Sequence, residues 1–166
     1  MGCSFSDANW QQEMENAELA IFQSVEGLDL ELLKLSYTEI QVNTPEVLKV
    51  RTYTYNDDKS KPTLLMTHGY MVSSVFFARL LPELSKHYRV VMFDNLGFGL
   101  NSRTQNIGNA LESEETAQKY IDDWWDQLID NLDLPPKFFI SGHSAGGCQA
   151  MWYISRHPER CAGIFL

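Results

Sequence analysis

FFISGHSAGGCQAMWYISRHPER, residues 138–160, joins two kinds of hydrophobic pattern across a single break. Lys137-Phe138-Phe139-Ile140 ends in a short continuous apolar run, as expected of a strand buried on both faces. Beyond the break, Ala150, Met151 and Ile154 recur at helical spacing. The pattern predicts a strand over 137–141 and a helix beginning at Ser144. A turn this tight puts the serine in a strained backbone conformation and lifts its hydroxyl above the end of the strand. The positions two before and two after it must be tiny, because the turn drives them against neighbouring backbone. Gly142 and Gly146 meet that need, and Gly147 extends the room. Free amides at the helix N-terminus favour developing negative charge beside the serine.

The same alternation extends outward. Thr63-Leu64-Leu65-Met66-Thr67 and Val90-Val91-Met92-Phe93 are two more continuous apolar runs. Phe77, Leu80, Leu81 and Leu84 mark one helical pattern between them; Ala117, Ile121, Trp124, Leu128 and Leu132 mark another. Strand-like runs over 33–42 and 48–55 come earlier, followed by the polar loop Asn56-Asp57-Asp58-Lys59-Ser60-Lys61-Pro62. Strands alternating with helices predict an α/β fold around a mostly parallel sheet. Asp122, Asp123, Asp126, Asp130 and Asp133 lie mostly opposite the apolar stripe of their helix and read as a solvated face, with no metal implied.

Leu64-Leu65-Met66-Thr67-His68-Gly69-Tyr70 is a buried strand ending in His-Gly, and Phe93-Asp94-Asn95-Leu96-Gly97-Phe98-Gly99 is a strand end followed by a glycine-rich turn. No helix opens directly after that turn and no G-x-G-x-x-G is present, so it does not read as a dinucleotide loop. Together with Gly142-His143-Ser144-Ala145-Gly146, a match to G-x-S-x-G, these elements give the chain a resemblance to the α/β-hydrolase superfamily. More narrowly, "FDNLGFGLNSR", "GHSAGG" and "HPERCAGIFL" are similar to the subfamily of the N-acyl-phosphatidylethanolamine lysophospholipase and the lipid-droplet lipase coactivator. Leu100 and Asn101 depart from that subfamily's arginine and serine. The coactivator carries asparagine at the elbow; Ser144 here implies the hydrolytic branch, with the serine as nucleophile. The resemblance also implies an oxyanion hole built from the backbone amides of Tyr70, with Met71 as the alternative, and Ala145. It implies no cofactor.

A serine needs a base, and the superfamily supplies it in the order Ser, Asp or Glu, His. His157 follows Ser144, but along the helix at about 1.5 Å per residue it falls roughly 20 Å from the hydroxyl. His143 adjoins the serine and is expected to point away; His68 belongs to the oxyanion loop; His87 closes an earlier helix. None suits the role. The base, the acid and the lid are expected in further sequence, making residues 33–166 the N-terminal portion of a hydrolase domain. Residues 1–32 read as a separate tail and helix.

That tail opens Met1-Gly2-Cys3-Ser4-Phe5-Ser6, which fits the myristoylation pattern at Gly2 and offers Cys3 for palmitoylation. Two acyl chains are what stable anchoring requires. Trp10, Met14, Ala17, Ile21 and Val25 form an apolar stripe over a predicted helix at 7–25, packed either on the domain or in a membrane interface. The chain has 166 residues and a formal charge of -9, which argues against nucleic-acid binding. Its three cysteines form no metal-ligand spacing and read as reduced thiols. The expected partners are an acyl lipid or small ester and, through acylation, the cytosolic face of a membrane. Two functions follow: a serine hydrolase of acyl esters, or a non-catalytic membrane-tethered module that binds lipid or protein.

Overall fold

The computed structural model describes residues 9–103 and 112–166, so the acylation candidates Gly2 and Cys3 lie outside the described residues. In chain order the elements are α1 (Asn9–Gln23), β1 (Leu33–Ile40), β2 (Leu48–Tyr55), β3 (Thr63–Thr67), α2 (Leu81–Leu84), β4 (Arg89–Phe93), α3 (Glu114–Asn131), β5 (Phe138–Gly142), α4 (Ala145–Arg156) and β6 (Cys161–Phe165). A 3-10 helix, Ser74–Leu80, leads into α2. The sheet order is β1-β2-β4-β3-β5-β6. β1, β2 and β4 pair antiparallel, whereas β4, β3, β5 and β6 run parallel.

The continuous apolar runs have a direct cause: their strands are covered on both faces. On one side Leu65, Val91, Phe93 and Ile140 meet Trp124, Trp125 and Leu128 of α3 and Ala150 and Tyr153 of α4. On the other, Leu64, Met66, Val90 and Met92 meet Phe22, Phe77 and Leu81. Phe93 takes both tryptophans edge-on, with ring centroids 5.7 and 5.2 Å away. The parallel strand ends, and with them the loops after β3, β4 and β5, therefore gather at one rim of the sheet.

Two helix faces differ from the sequence expectation. In α1 the buried residues are Glu18 and Phe22, while Met14 and Ile21 are about half exposed. Phe22 packs against Tyr53, and Glu18 forms a buried ion pair with Arg51. An apolar periodicity cannot register a face organised by a charge. In α3, which opens on a Ser113–Thr116 capping box, the buried arc is Trp124, Trp125, Leu128 and Ile129, and Ile121 faces outward. Its acids are also more engaged than a solvated face. Asp126 accepts two hydrogen bonds from Arg156, Asp122 accepts one from the Trp152 indole, and Asp130 faces Arg160. These contacts join α3 to α4 and the segment after it.

Asp57 ties the loop after β2 to two strands, accepting from Lys34 Nζ at 2.7 Å and Arg89 Nε at 2.6 Å. The Lys34 hydrogen bond above all, with the Arg89 guanidinium and Lys59, holds its carboxyl at about 2, from an ordinary 3.8, against the opposing effect of burial. A depressed carboxylate stabilises the fold above its unfolded pKa and loses that contribution as pH falls through the folded one. Asp57→Asn should therefore flatten the decline of the urea midpoint between about pH 4 and pH 2 relative to wild type. An unchanged slope would assign the acid sensitivity to other carboxylates.

Candidate active site

β5 ends at Gly142 and α4 begins at Ala145, leaving Ser144 at φ 55° and ψ -122°. This is a positive φ for a residue with a side chain, the strained turn that the sequence pattern required. The flanking glycines explain how it closes. A Cβ on Gly142 would stand 2.5 Å from the Gly146 carbonyl oxygen and the Gly147 nitrogen. A Cβ on Gly146 would stand 2.5 Å from the carbonyl oxygens of Thr67 and His68. The start of α4 is thus seated directly on the end of β3. The His143 amide donates to the Thr67 carbonyl at 3.1 Å, which locks the turn from the other side.

The loop after β3 lies against the serine. A Cβ placed on Gly69 would be 3.1 Å from Ser144 Cβ. Tyr70 and Met71 follow, 72% and 76% exposed, with Met71 at φ 60°. Ala145 opens α4, where first-turn amides have no carbonyl four residues back. The three backbone positions expected to serve an oxyanion thus flank Ser144.

His68 is fully buried and occupied on both ring nitrogens. Nε2 accepts the Asn95 amide at 2.8 Å, so Nδ1 carries the proton and donates to the Gly69 carbonyl at 2.8 Å. Burial lowers its pKa, against the opposing pull of the Gly69 carbonyl and Asp94. The imidazole is neutral and structural. His143 stacks on Phe76, with centroids 4.7 Å apart, and makes no hydrogen bond to Ser144. His87 is exposed in the turn after α2. His157, past the far end of α4, meets Asp126 at 3.0 Å, a His-Asp pair at the opposite end of the helix from Ser144. Of the four histidines in the sequence, three make these contacts, His87 is exposed, and among the described residues none hydrogen-bonds Ser144.

Sequence reasoning underrated the turn after β4. Asp94 and Asn95 are buried, and Asn95 donates through Nδ2 to the His68 carbonyl at 2.9 Å. Asn101 donates to the carbonyls of Asp94 and Asn95 and accepts the Arg51 amide at 2.6 Å. The signal was a run of Asp and Asn around glycines, which reads as turn chemistry and does not reveal what the turn holds. Around the serine, Phe76, stacked on His143, joins Tyr70 and Met71 as an exposed apolar group. A separate cavity of about 210 Å³ lies between α3 and α4, lined by Ile121, Trp125, Trp152 and Tyr153, and does not include Ser144.

A profile for the alpha/beta hydrolase fold matches residues 62–166, which is most of the chain. The chain belongs to the alpha/beta hydrolase family. Among curated relatives it is 34% identical over 155 residues to a probable 1-acylglycerol-3-phosphate O-acyltransferase of Oryza sativa subsp. japonica, covering 82% of this chain and 36% of that one. It is 27% identical over 145 residues to the (lyso)-N-acylphosphatidylethanolamine lipase of Mus musculus, covering 87% of this chain and 41% of that one. Naproxen esterase from Bacillus subtilis shares the fold, with a TM-score of 0.69 at 19% identity over 97% of this chain and 50% of the esterase. This hydrolase-fold chain therefore spans half or less of the length of each of these proteins. The lysophospholipase and coactivator resemblance read from the motifs agrees with these relatives.

Proposed function

We propose that this chain carries the nucleophile and oxyanion half of a serine hydrolase acting on acyl esters, with lipids such as lysophospholipids as the preferred class. The observation that carries the reading is Ser144 at φ 55° between β5 and α4, with Gly69 against its Cβ. Ser144 attacks the ester carbonyl, and the amides of Ala145 and of Tyr70 or Met71 receive the oxyanion. The tetrahedral intermediate collapses to an acyl-serine and releases the alcohol; water then releases the acid. The lipid class is supported by the exposed apolar groups Tyr70, Met71 and Phe76 beside the elbow and by the lipid-directed names of the relatives. A fluorophosphonate probe tests the nucleophile without presuming a substrate: labelling of a polypeptide that also carries the base and acid should vanish in Ser144→Ala.

One observation favours a second reading. Among the described residues no histidine hydrogen-bonds the serine: His68 and His157 have polar partners of their own, His143 stacks on Phe76 and His87 is exposed, which suits a non-catalytic lipid- or partner-binding module. In either reading Gly2 and Cys3 supply a membrane tether on the cytosolic side. Gly2→Ala should move the protein from the membrane pellet to the supernatant, and Cys3→Ser should leave marginal, reversible binding. Unchanged fractionation of Gly2→Ala would remove the acyl anchor.

A further inference from the structure

The loop that flanks Ser144 is held at both ends by buried polar groups. At its start His68 is fixed by the Asn95 amide and the Gly69 carbonyl. At its end Asp94 Oδ1 accepts the Ser74 amide at 2.7 Å. Between these two anchors Met71 sits at φ 60° while its side chain lies in solvent. A strained residue persists only where its surroundings fix it. The Asp94–Ser74 bond is therefore part of what keeps the loop in shape.

Asp94 is fully buried, and a buried cation stands nearby. Arg51 belongs to the neighbouring strand, its carbonyl accepts the Asp94 amide at 3.0 Å, and its guanidinium lies over the Tyr53 ring at 5.6 Å. The Tyr53 hydroxyl touches both carboxylates, at 2.5 Å from Glu18 Oε1 and 3.1 Å from Asp94 Oδ2. Burial and the two carboxylates raise the Tyr53 pKa far above its ordinary value, so the phenol remains a donor with one proton to give. Arg51 donates to Glu18 through Nε at 3.2 Å and also through Nη2. Arg51 also lies over the Tyr37 ring at 5.0 Å, and the Tyr37 hydroxyl donates to the half-buried Glu15 at 3.2 Å. Of the three acids around it, Glu18 holds the guanidinium.

We propose that Glu18 of α1 is a positioning residue for the oxyanion loop, because by satisfying Arg51 it leaves Asp94 free to hold Ser74. A buried guanidinium without its carboxylate is strongly unfavourable and takes the next acid within reach. Without Glu18 that acid is Asp94, fully buried and one tyrosine away across Tyr53, whereas Glu15 is half-buried and already accepts from Tyr37. Asp94 is drawn past Tyr53 and away from the Ser74 amide. The N-terminal helix, distant in sequence from the elbow, is by this route coupled to the geometry beside Ser144. Its consequence for catalysis rests on the serine-hydrolase reading; its consequence for the loop does not.

The test is amide hydrogen exchange on the 166-residue chain, with Leu65 in β3 as internal reference. Glu18→Gln should speed exchange at Ser74 about tenfold, the loss of one charge-assisted hydrogen bond, while Leu65 stays as in wild type. Adding Arg51→Met should restore Ser74 protection, since no cation is left to draw Asp94 away. Equal loosening of Ser74 and Leu65, or no recovery in the double variant, would make Glu18 a general stabiliser and overturn the proposal. Should Glu18→Gln fail to fold, Arg51→Met alone decides: Ser74 must keep its protection, and its loss overturns the proposal. In a polypeptide with an intact triad, the same single and double variants should lower and restore kcat with KM unchanged. Exchange behaving as expected without any hydrolysis would fail the hydrolase reading and leave the loop coupling in place.

Discussion

Ser144→Ala is expected to leave ester turnover by the 166-residue chain unchanged, because among the described residues no histidine hydrogen-bonds the serine. His68 has both nitrogens engaged by backbone, His143 is stacked on Phe76, and His157 pairs with Asp126 at the other end of α4. A neutral serine hydroxyl without a base is a poor nucleophile, and an oxyanion hole alone gives modest rates. In a polypeptide that continues past Leu166 and adds the triad acid and histidine, the same substitution should cost on the order of 10⁴- to 10⁶-fold in kcat. Hydrolysis of a lysophospholipid or a simple acyl ester measures both, each compared with its own Ser144→Ala variant. Robust Ser144-dependent turnover by the 166 residues would return His68 or His143 to the site. Its absence from the longer polypeptide would favour the binding-module reading.

The elbow was legible because its requirements are local and steric. Two glycines two residues either side of a serine, between an apolar run and a helical stripe, specify the turn with no knowledge of distant contacts. The β3 and β4 runs were legible for a similar reason, since strands covered on both faces need apolar residues at every position. What stayed hidden depends on charges meeting across long separations. Glu18 and Arg51 are 33 residues apart, and the pair redirects the buried face of α1 from the Met14, Ala17 and Ile21 stripe to Phe22 and Glu18. The α3 acids looked like solvent-facing surface because their partners, Trp152, Arg156 and Arg160, lie on a helix and turn that reach them only after β5 crosses the sheet. The Asp94–Ser74 bond was invisible on the same grounds, although both residues flank motifs that were recognised.

Gly146→Ala should be among the most damaging single-methyl changes in the protein, costing about 3 kcal/mol or more. The added carbon would lie 2.5 Å from the carbonyl oxygens of both Thr67 and His68 and 2.9 Å from the Thr67 carbonyl carbon. All three are backbone atoms, so no rotamer change relieves the overlap. Thr67 cannot retreat, since β3 is paired on one side with β4, Thr67 opposite Phe93, and on the other with β5, Thr67 opposite Gly142. Nor can α4 lift away without uncovering Ala150 and Tyr153, which are 0% and 2% exposed. Gly147→Ala is the matched control: its Cβ meets the Gly142 oxygen at 3.1 Å and the end of the Leu166 side chain at 3.5 Å, contacts that small shifts absorb. Its cost should stay near 1 kcal/mol, and urea midpoints compare the two directly. Equal midpoints would mean that α4 is not locked to β3, and that the φ of Ser144 is set by something other than this contact. A large difference carries the argument on to function. Whatever shift of α4 accommodates the methyl in Gly146→Ala also moves Ser144 and the Ala145 amide away from Gly69, so activity in an intact triad should fall further than the folded fraction does.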